Sequence, residues 1–134
     1  MRKKEIIKKL RTEFKVKSNR FGNYNFEVIS GNKSYFVRVL NITINHQITI
    51  NSKIIWDLKK GVTSGIRFKT ISSNLINLEE FNKLDNKVIF LTSKPFKILK
   101  ALNESDLLDV SNDNVVNETF ITSDITEFIG YLLK

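Results

Sequence analysis

Apolar residues recur at helical spacing at both ends of the chain and alternate in much of the stretch between. In residues 2–14, RKKEIIKKLRTEF, Ile6, Ile7, Leu10 and Phe14 fall on one side and Lys3, Lys4, Lys8, Lys9 and Arg11 on the other. That pattern predicts an amphipathic helix. Near the C-terminus Ile125, Phe128, Ile129 and Leu132 share a face, Ser123 or Asp124 is placed to cap, and Glu127 falls in the first turn. A second amphipathic helix is expected there.

Residues 15–23 contain Ser18, Asn19, Gly22 and Asn23 and have turn character. Residues 24–30 then alternate, with Tyr24, Phe26 and Val28 on one face. Gly31-Asn32 supplies a turn, and residues 34–44 are rich in β-branched and aromatic side chains. Together they predict a hairpin. Its second strand places Tyr35, Val37 and Val39 on one face and Phe36 and Leu40 on the other, so it is expected to be central and covered on both sides. Arg38 is its one charged residue.

Residues 41–51, NITIN and then QITIN around Asn45-His46, fit a second hairpin or one long bent strand. Residues 53–60, KIIWDLKK, fit two structures equally. One is a short helix capped by Ser52 and ended by Gly61; the other is a strand lined by Ile54, Trp56 and Leu58. Residues 66–71 read as a strand and 78–84 as a short helix aligning Leu78, Phe81 and Leu84. Residues 87–91, KVIFL, give the clearest buried strand. Ser93 and Pro95 open a predicted helix through Leu102, and residues 107–110 a short strand. The expected fold is α+β (or α/β), one domain over residues 1–134. It would hold a mixed β-sheet with a central hairpin, flanked by an N-terminal and a C-terminal helix. Val37, Val39, Val88, Phe90, Phe128 and Leu132 should lie in its core.

Composition narrows the function classes. The chain is 41% hydrophobic and 27% charged, as a globular protein should be, with one Pro, one Ala and abundant Lys, Asn and Ile, the products of AT-rich codons. There is no Cys, which excludes disulfides, thiol catalysis and the usual structural zinc sites. The basic start is broken by Lys8, Lys9 and Arg11 before a signal-peptide core of ~7–15 apolar residues can form. A cytoplasmic protein that does not enter membranes is therefore expected. The charge is divided by sign. Residues 1–40 carry eleven Lys/Arg against three Asp/Glu, and residues 101–134 carry one against seven.

Few residues offer chemistry. His46, the only histidine, stands in a polar NHQ stretch with no nucleophile motif near it, and is expected to be an exposed turn residue rather than a general base. Gly61-Val62-Thr63-Ser64-Gly65 lacks phosphate-loop spacing and is expected to be a loop between two strands. The acidic stretch at 104–113, NESDLLDVSND, has no Gly for a cation loop and fits a solvated or docking face. The basic segment is more suggestive. Arg2, Lys3, Lys4, Lys8, Lys9, Arg11, Lys15, Lys17 and Arg20 crowd the first twenty residues. Clustered cations can displace counterions from phosphates, and Phe21 and Tyr24 nearby could stack on bases. The same cations also fit a solvated helix face in a lysine-rich chain, or a docking site for an acidic protein partner.

The helix at 2–14, the strands at 24–30 and 34–44 and the strand–helix pattern at 87–102 resemble the element order of PD-(D/E)XK nucleases. The resemblance implies a restriction-endonuclease-like fold. In that family two acids hold Mg²⁺ and a lysine positions the attacking water. Here Asn25, Phe36 and Arg38 occupy the matching positions, with Glu27 the only acid on either strand. The implied protein is a nuclease-like fold without its metal site, so neither catalysis nor a cofactor is expected. DNA or RNA is the expected partner, contacted by the nine cations above and Arg38. The alternative is a protein-interaction or inhibitor module that docks through its charged faces.

Overall fold

The computed structural model describes all of residues 1–134 except Phe21 and Ile66. The chain opens with α1 (Lys3–Leu10), followed by β1 (Lys15–Ser18), β2 (Phe26–Ser30) and β3 (Lys33–Leu40). Next come β4 (His46–Ile50), β5 (Ile55–Ser64), β6 (Arg67–Asn77) and the single turn α2 (Glu79–Asn82). The rest is β7 (Lys87–Leu91), β8 (Lys97–Ala101), β9 (Leu107–Asp109), β10 (Val115–Val116), β11 (Thr119–Thr122) and α3 (Ile125–Leu132). The class is α+β, with three short helices and two mixed sheets among the described residues in place of the single sheet expected.

The first sheet has the order β1-β2-β3-β7-β11-β10 and the second β6-β5-β4-β8-β9. Period-2 alternation along the strands of the first sheet sends side chains into two separate cores. Val37, Val88, Phe90 and Phe120 pack with Ile6, Leu10, Phe128 and Leu132 of the two eight-residue helices. Leu40, Ile89, Leu91 and Ile121 pack instead with Ile48, Ile50, Trp56, Leu58 and Ile98 of the second sheet. The molecule thus has three layers: helices, first sheet, second sheet. The strand β7 lies in the middle layer and is buried at all five positions, which is why its sequence after Lys87 is a continuous apolar run rather than an alternating one.

The three central strands of the first sheet, β3, β7 and β11, are parallel. Parallel neighbours need crossovers, usually helical. Here the second sheet supplies them. The chain passes from β3 to β4 and again from β7 to β8, and β4 and β8 are themselves parallel. The two connections run side by side. Thr92 Oγ1 accepts from Ile42 N at 2.8 Å and donates to Ile42 O at 3.0 Å, and Phe96 N donates to His46 O at 2.7 Å.

Several expectations are corrected. The turn expected at 15–23 begins as a strand, β1, because Val16 is drawn into the helix-side core and the backbone pairs with β2. The strand expected over 34–44 ends at Leu40, where the chain leaves for the second sheet. Residues 41–51 form neither a hairpin nor one bent strand: 41–45 is a crossover and 46–50 is β4. Of residues 53–60, those from Ile55 onward belong to a strand, with Trp56 and Leu58 buried in alternation. The glycine-bounded segment at 61–65 is not a loop, because β5 runs on to Ser64. The strand expected at 66–71 continues to Asn77; Ile66 lies outside the described residues.

The helix expected through Leu102 is β8. Its backbone is held between β4 and β9 and by Ser111, whose Oγ accepts from Ile98 N at 2.9 Å, and these pairings outweigh local preference. The hairpin β10–β11 was not anticipated. Its turn puts Asn117 at φ 51° and Glu118 at φ 62°, a left-handed pair that normally calls for Asn or Gly at both places. The C-terminal helix is as expected: Asp124 caps it, accepting from Thr126 N at 2.8 Å and Glu127 N at 3.3 Å. Among the expected core residues Val39 is only partly buried, and the other five are fully buried.

Candidate nucleic-acid interface

The helix α1 lies on the outside of the helix layer, held by Ile6 and Leu10, neither of which retains any exposure. Burying that stripe turns Lys3, Lys4, Lys8 and Lys9 to solvent. Lys4, Lys8 and Arg11, spaced by four and three, stand along one face. With Lys3, Ile7 and Ser18 they line a shallow depression between α1 and the end of β1. Arg11 reaches from the end of α1 to donate to Val16 O at 3.4 Å. The depression therefore holds four cations and no carboxylate. Among the described residues the only ion pair in the protein is Lys83–Glu80, at 3.0 Å, so no member of this group is neutralised by a direct partner.

The other expected contact residues do not all join it. Arg2 precedes α1 and is exposed, as is Arg20. Lys15 and Lys17 alternate with the buried Val16 on β1, so they leave the sheet on the face away from the helices. They sit on a strand rather than in the expected loop. Arg38 alternates with Val37 and Val39 and also belongs to the face away from α1. It is half-buried, its guanidinium reaches Asn23 O at 3.5 Å, and burial lowers its pKa.

Of the two aromatic residues nominated for stacking, Tyr24 is not free to do it. It packs edge-on against Phe36, with ring centroids 5.0 Å apart, against the core between the sheets. Phe21 lies outside the described residues. At the positions compared with nuclease ligands, Asn25 Oδ1 accepts from Val39 N at 2.6 Å, a structural clamp across the hairpin.

A second depression lies at the C-terminal ends of the parallel strands β7 and β11, where α/β sheets commonly bind ligands. Lys94, Lys97, Asp109, Asp113, Asp124 and Glu127 line it, a grouping too dispersed in sequence to be read beforehand. Three of its four carboxylates already serve the fold. Asp124 caps α3, Glu127 accepts from Thr122 Oγ1 at 2.7 Å, and Asp109 accepts from Ser111 N at 2.9 Å. The hydrogen bonds from Ser111, with a smaller contribution from Lys97, hold Asp109 below the usual carboxylate range. Among the described residues no three His, Cys, Asp or Glu side chains gather so as to hold a metal.

His46 opens β4 partly buried, its Nδ1 accepting from Thr43 N at 2.9 Å and lying 3.0 Å from Thr43 Oγ1 within one turn. No helix among the described residues is long and apolar enough to cross a membrane. Comparison with protein-family models, curated proteins and solved structures found no match to this chain.

Proposed function

We propose that the protein is a small nucleic-acid-binding module without catalytic activity, and that it grips backbone phosphates with the outer face of α1. The observation that carries this reading is the convergence of Lys3, Lys4, Lys8 and Arg11 on one depression with no acidic partner. Unpaired clustered cations are what counterion release from a phosphate backbone requires. Lys9, Arg2 and Arg20 extend the field around it, while Lys15, Lys17 and Arg38 would serve only a ligand that wraps the edge of the first sheet. Nothing in the face resembles a base-reading element, so little sequence preference is expected. Asn25, Phe36 and Arg38 make a nuclease-like fold with its metal site lost the form in which a nuclease relationship would survive.

The test is the salt dependence of binding to short DNA and RNA, single- and double-stranded. Each phosphate neutralised contributes about −0.9 to the slope of log affinity against log salt on B-DNA. Replacing Lys4, Lys8 and Arg11 together by Ala should flatten that slope by up to about 3 while leaving thermal stability nearly unchanged, since the sites are exposed. Wild-type protein that binds neither DNA nor RNA at low salt would refute the proposal. It would promote the second reading, a protein-interaction or inhibitor module. One observation favours that reading: Leu102, Leu107 and Leu108 stand exposed beside Glu104, Asp106 and Asp109 at the β9 edge.

A further inference from the structure

The geometry points to the β6 edge as a self-association surface: two copies of the chain pair β6 against β6, antiparallel, and join their second sheets into one. The strand runs eleven residues along the outside of the sheet and pairs only with β5. Leu78 N donates to Ile54 O at 2.6 Å. This fixes the hydrogen-bonded positions of the β5–β6 ladder at Trp56↔Ile76 and Leu58↔Asn74. By the alternation of an antiparallel pair, Ser73, Leu75 and Asn77 turn their N–H and C=O groups to the open edge.

Proteins ordinarily blunt such an edge with charges, Pro or brevity. From Thr70 to Asn77, TISSNLIN, this one has no charge, no Pro and no Gly, and it presents Ile71 and Leu75 at 71% and 64% exposure. The charges lie at its two ends and differ in sign: Arg67 and Lys69 at the start, Glu79 and Glu80 just beyond the end. A second copy laid antiparallel sets each basic end against an acidic one, whereas a parallel copy sets like against like. The far edge of the same sheet, β9, is only three residues long and offers a much shorter ladder than β6 offers itself. Pairing of β6 with itself is isologous and closes as a dimer, while β6 with β9 would propagate head to tail.

Sedimentation equilibrium of the full chain over a dilution series should give twice the 15.6 kDa of one chain at the concentrated end. Leu75→Pro removes one outward N–H and no β5–β6 ladder bond, and should return the mass to that of one chain. Leu75→Lys, which keeps the backbone intact, should do the same with an unchanged melting temperature. Arg67→Glu/Lys69→Glu and Glu79→Lys/Glu80→Lys should each be monomeric alone and dimerise when mixed. A monomeric wild type, a dimer that survives both Leu75 variants, or an open-ended series of oligomers would overturn the inference.

Discussion

The two sheets of this protein treat their edges in opposite ways. The first is closed at one end by the two-residue β10. At the other it ends in β1, a short strand with exposed Lys15 and Lys17 and with Arg11 bonded to its outward Val16 carbonyl. Its faces are covered as well, by helices on one side and the second sheet on the other. Among the described residues the second sheet has one covered face, no helix on its outside, and an eleven-residue edge strand whose last eight residues, Thr70 to Asn77, carry no charge. Lysine on an edge strand is a standard defence against unwanted pairing. The same chain that defends β1 leaves β6 open, so the difference is informative: an edge left undefended beside a defended one is a surface that something covers. The one cation shared with the face around α1 is Arg11, which lines the depression there and also bonds to the β1 edge. It therefore serves protection as well as any ligand.

The comparison makes the first sheet the structural centre, and the largest expected effect tests that. Phe90 on β7 has no exposure and packs against Phe128 with ring centroids 5.9 Å apart. Phe90→Ala should lower unfolding free energy by about 3–5 kcal/mol in urea denaturation. A loss under about 1 kcal/mol would mean that the middle layer is not where stability resides.

A smaller and more local effect is expected in the second sheet. Gly61 sits where the β5–β6 register shifts, and a Cβ built there would lie 2.0 Å from the Lys69 carbonyl oxygen. Gly61→Ala forces the two backbones apart, at about 1–3 kcal/mol. Because the strain falls in the outer hairpin, amide exchange should quicken in β5 and β6 and stay slow at Val88 and Phe90. Equal acceleration in both sheets would show that the layers unfold as one unit and that the contrast between them is only one of surface.

What the sequence revealed follows the same division. The helix-side core was legible: α1, α3, β2 and β3 each bury residues at a recognisable period, β7 stands out as an apolar run after Lys87, and Asp124 announces the start of α3. The second sheet was largely not. Its strands β5 and β6 run past the glycine at 61 that reads as a stop, because the close backbone approach there needs a glycine inside the ladder. The residues of β8 follow Ser93 and Pro95, a convincing helix start, and only their pairing with β4, some fifty residues earlier, makes them a strand. Glu118 at positive φ hides the β10–β11 turn. The cationic depression was half visible. Helical spacing placed Lys4, Lys8 and Arg11 together, but that Lys15, Lys17 and Arg38 turn to the other face depends on which side of β1 and β3 the helices cover.

Next in size comes the cap of α3. Asp124 holds the second and third N–H groups of an eight-residue helix. Its loss in Asp124→Ala should cost about 1 kcal/mol, within the 0.5–2 kcal/mol usual for such caps. Asp124→Asn, which keeps an acceptor, should recover most of it. If both variants lose equally, the carboxylate's charge at the helix terminus matters more than the hydrogen bonds.

The smallest effect concerns pH and belongs to the corner where the second sheet begins. His46 is the one side chain whose ordinary pKa lies in the neutral range. Partial burial, and then the charge of Lys60 opposite it on β5, push its pKa below the ordinary 6.5, with hydrogen bonding at the Thr43 backbone working the other way. The folded protein therefore holds a proton there less readily than the unfolded chain does. Stability from this source is complete above about pH 6.5 and is lost as pH falls through the lowered value, because the unfolded state then binds the extra proton. A single partly buried ring is involved, so the slope should be shallow. His46→Asn, which can still accept from Thr43 N, should remove it, and the difference between the two proteins' melting temperatures should grow from pH 7 down towards pH 5. Lys60→Gln should reduce the effect rather than abolish it, since burial is the larger cause. A wild-type stability that rises as the solution is acidified through this window would reverse the sign and show that a carboxylate, not Lys60, faces the ring.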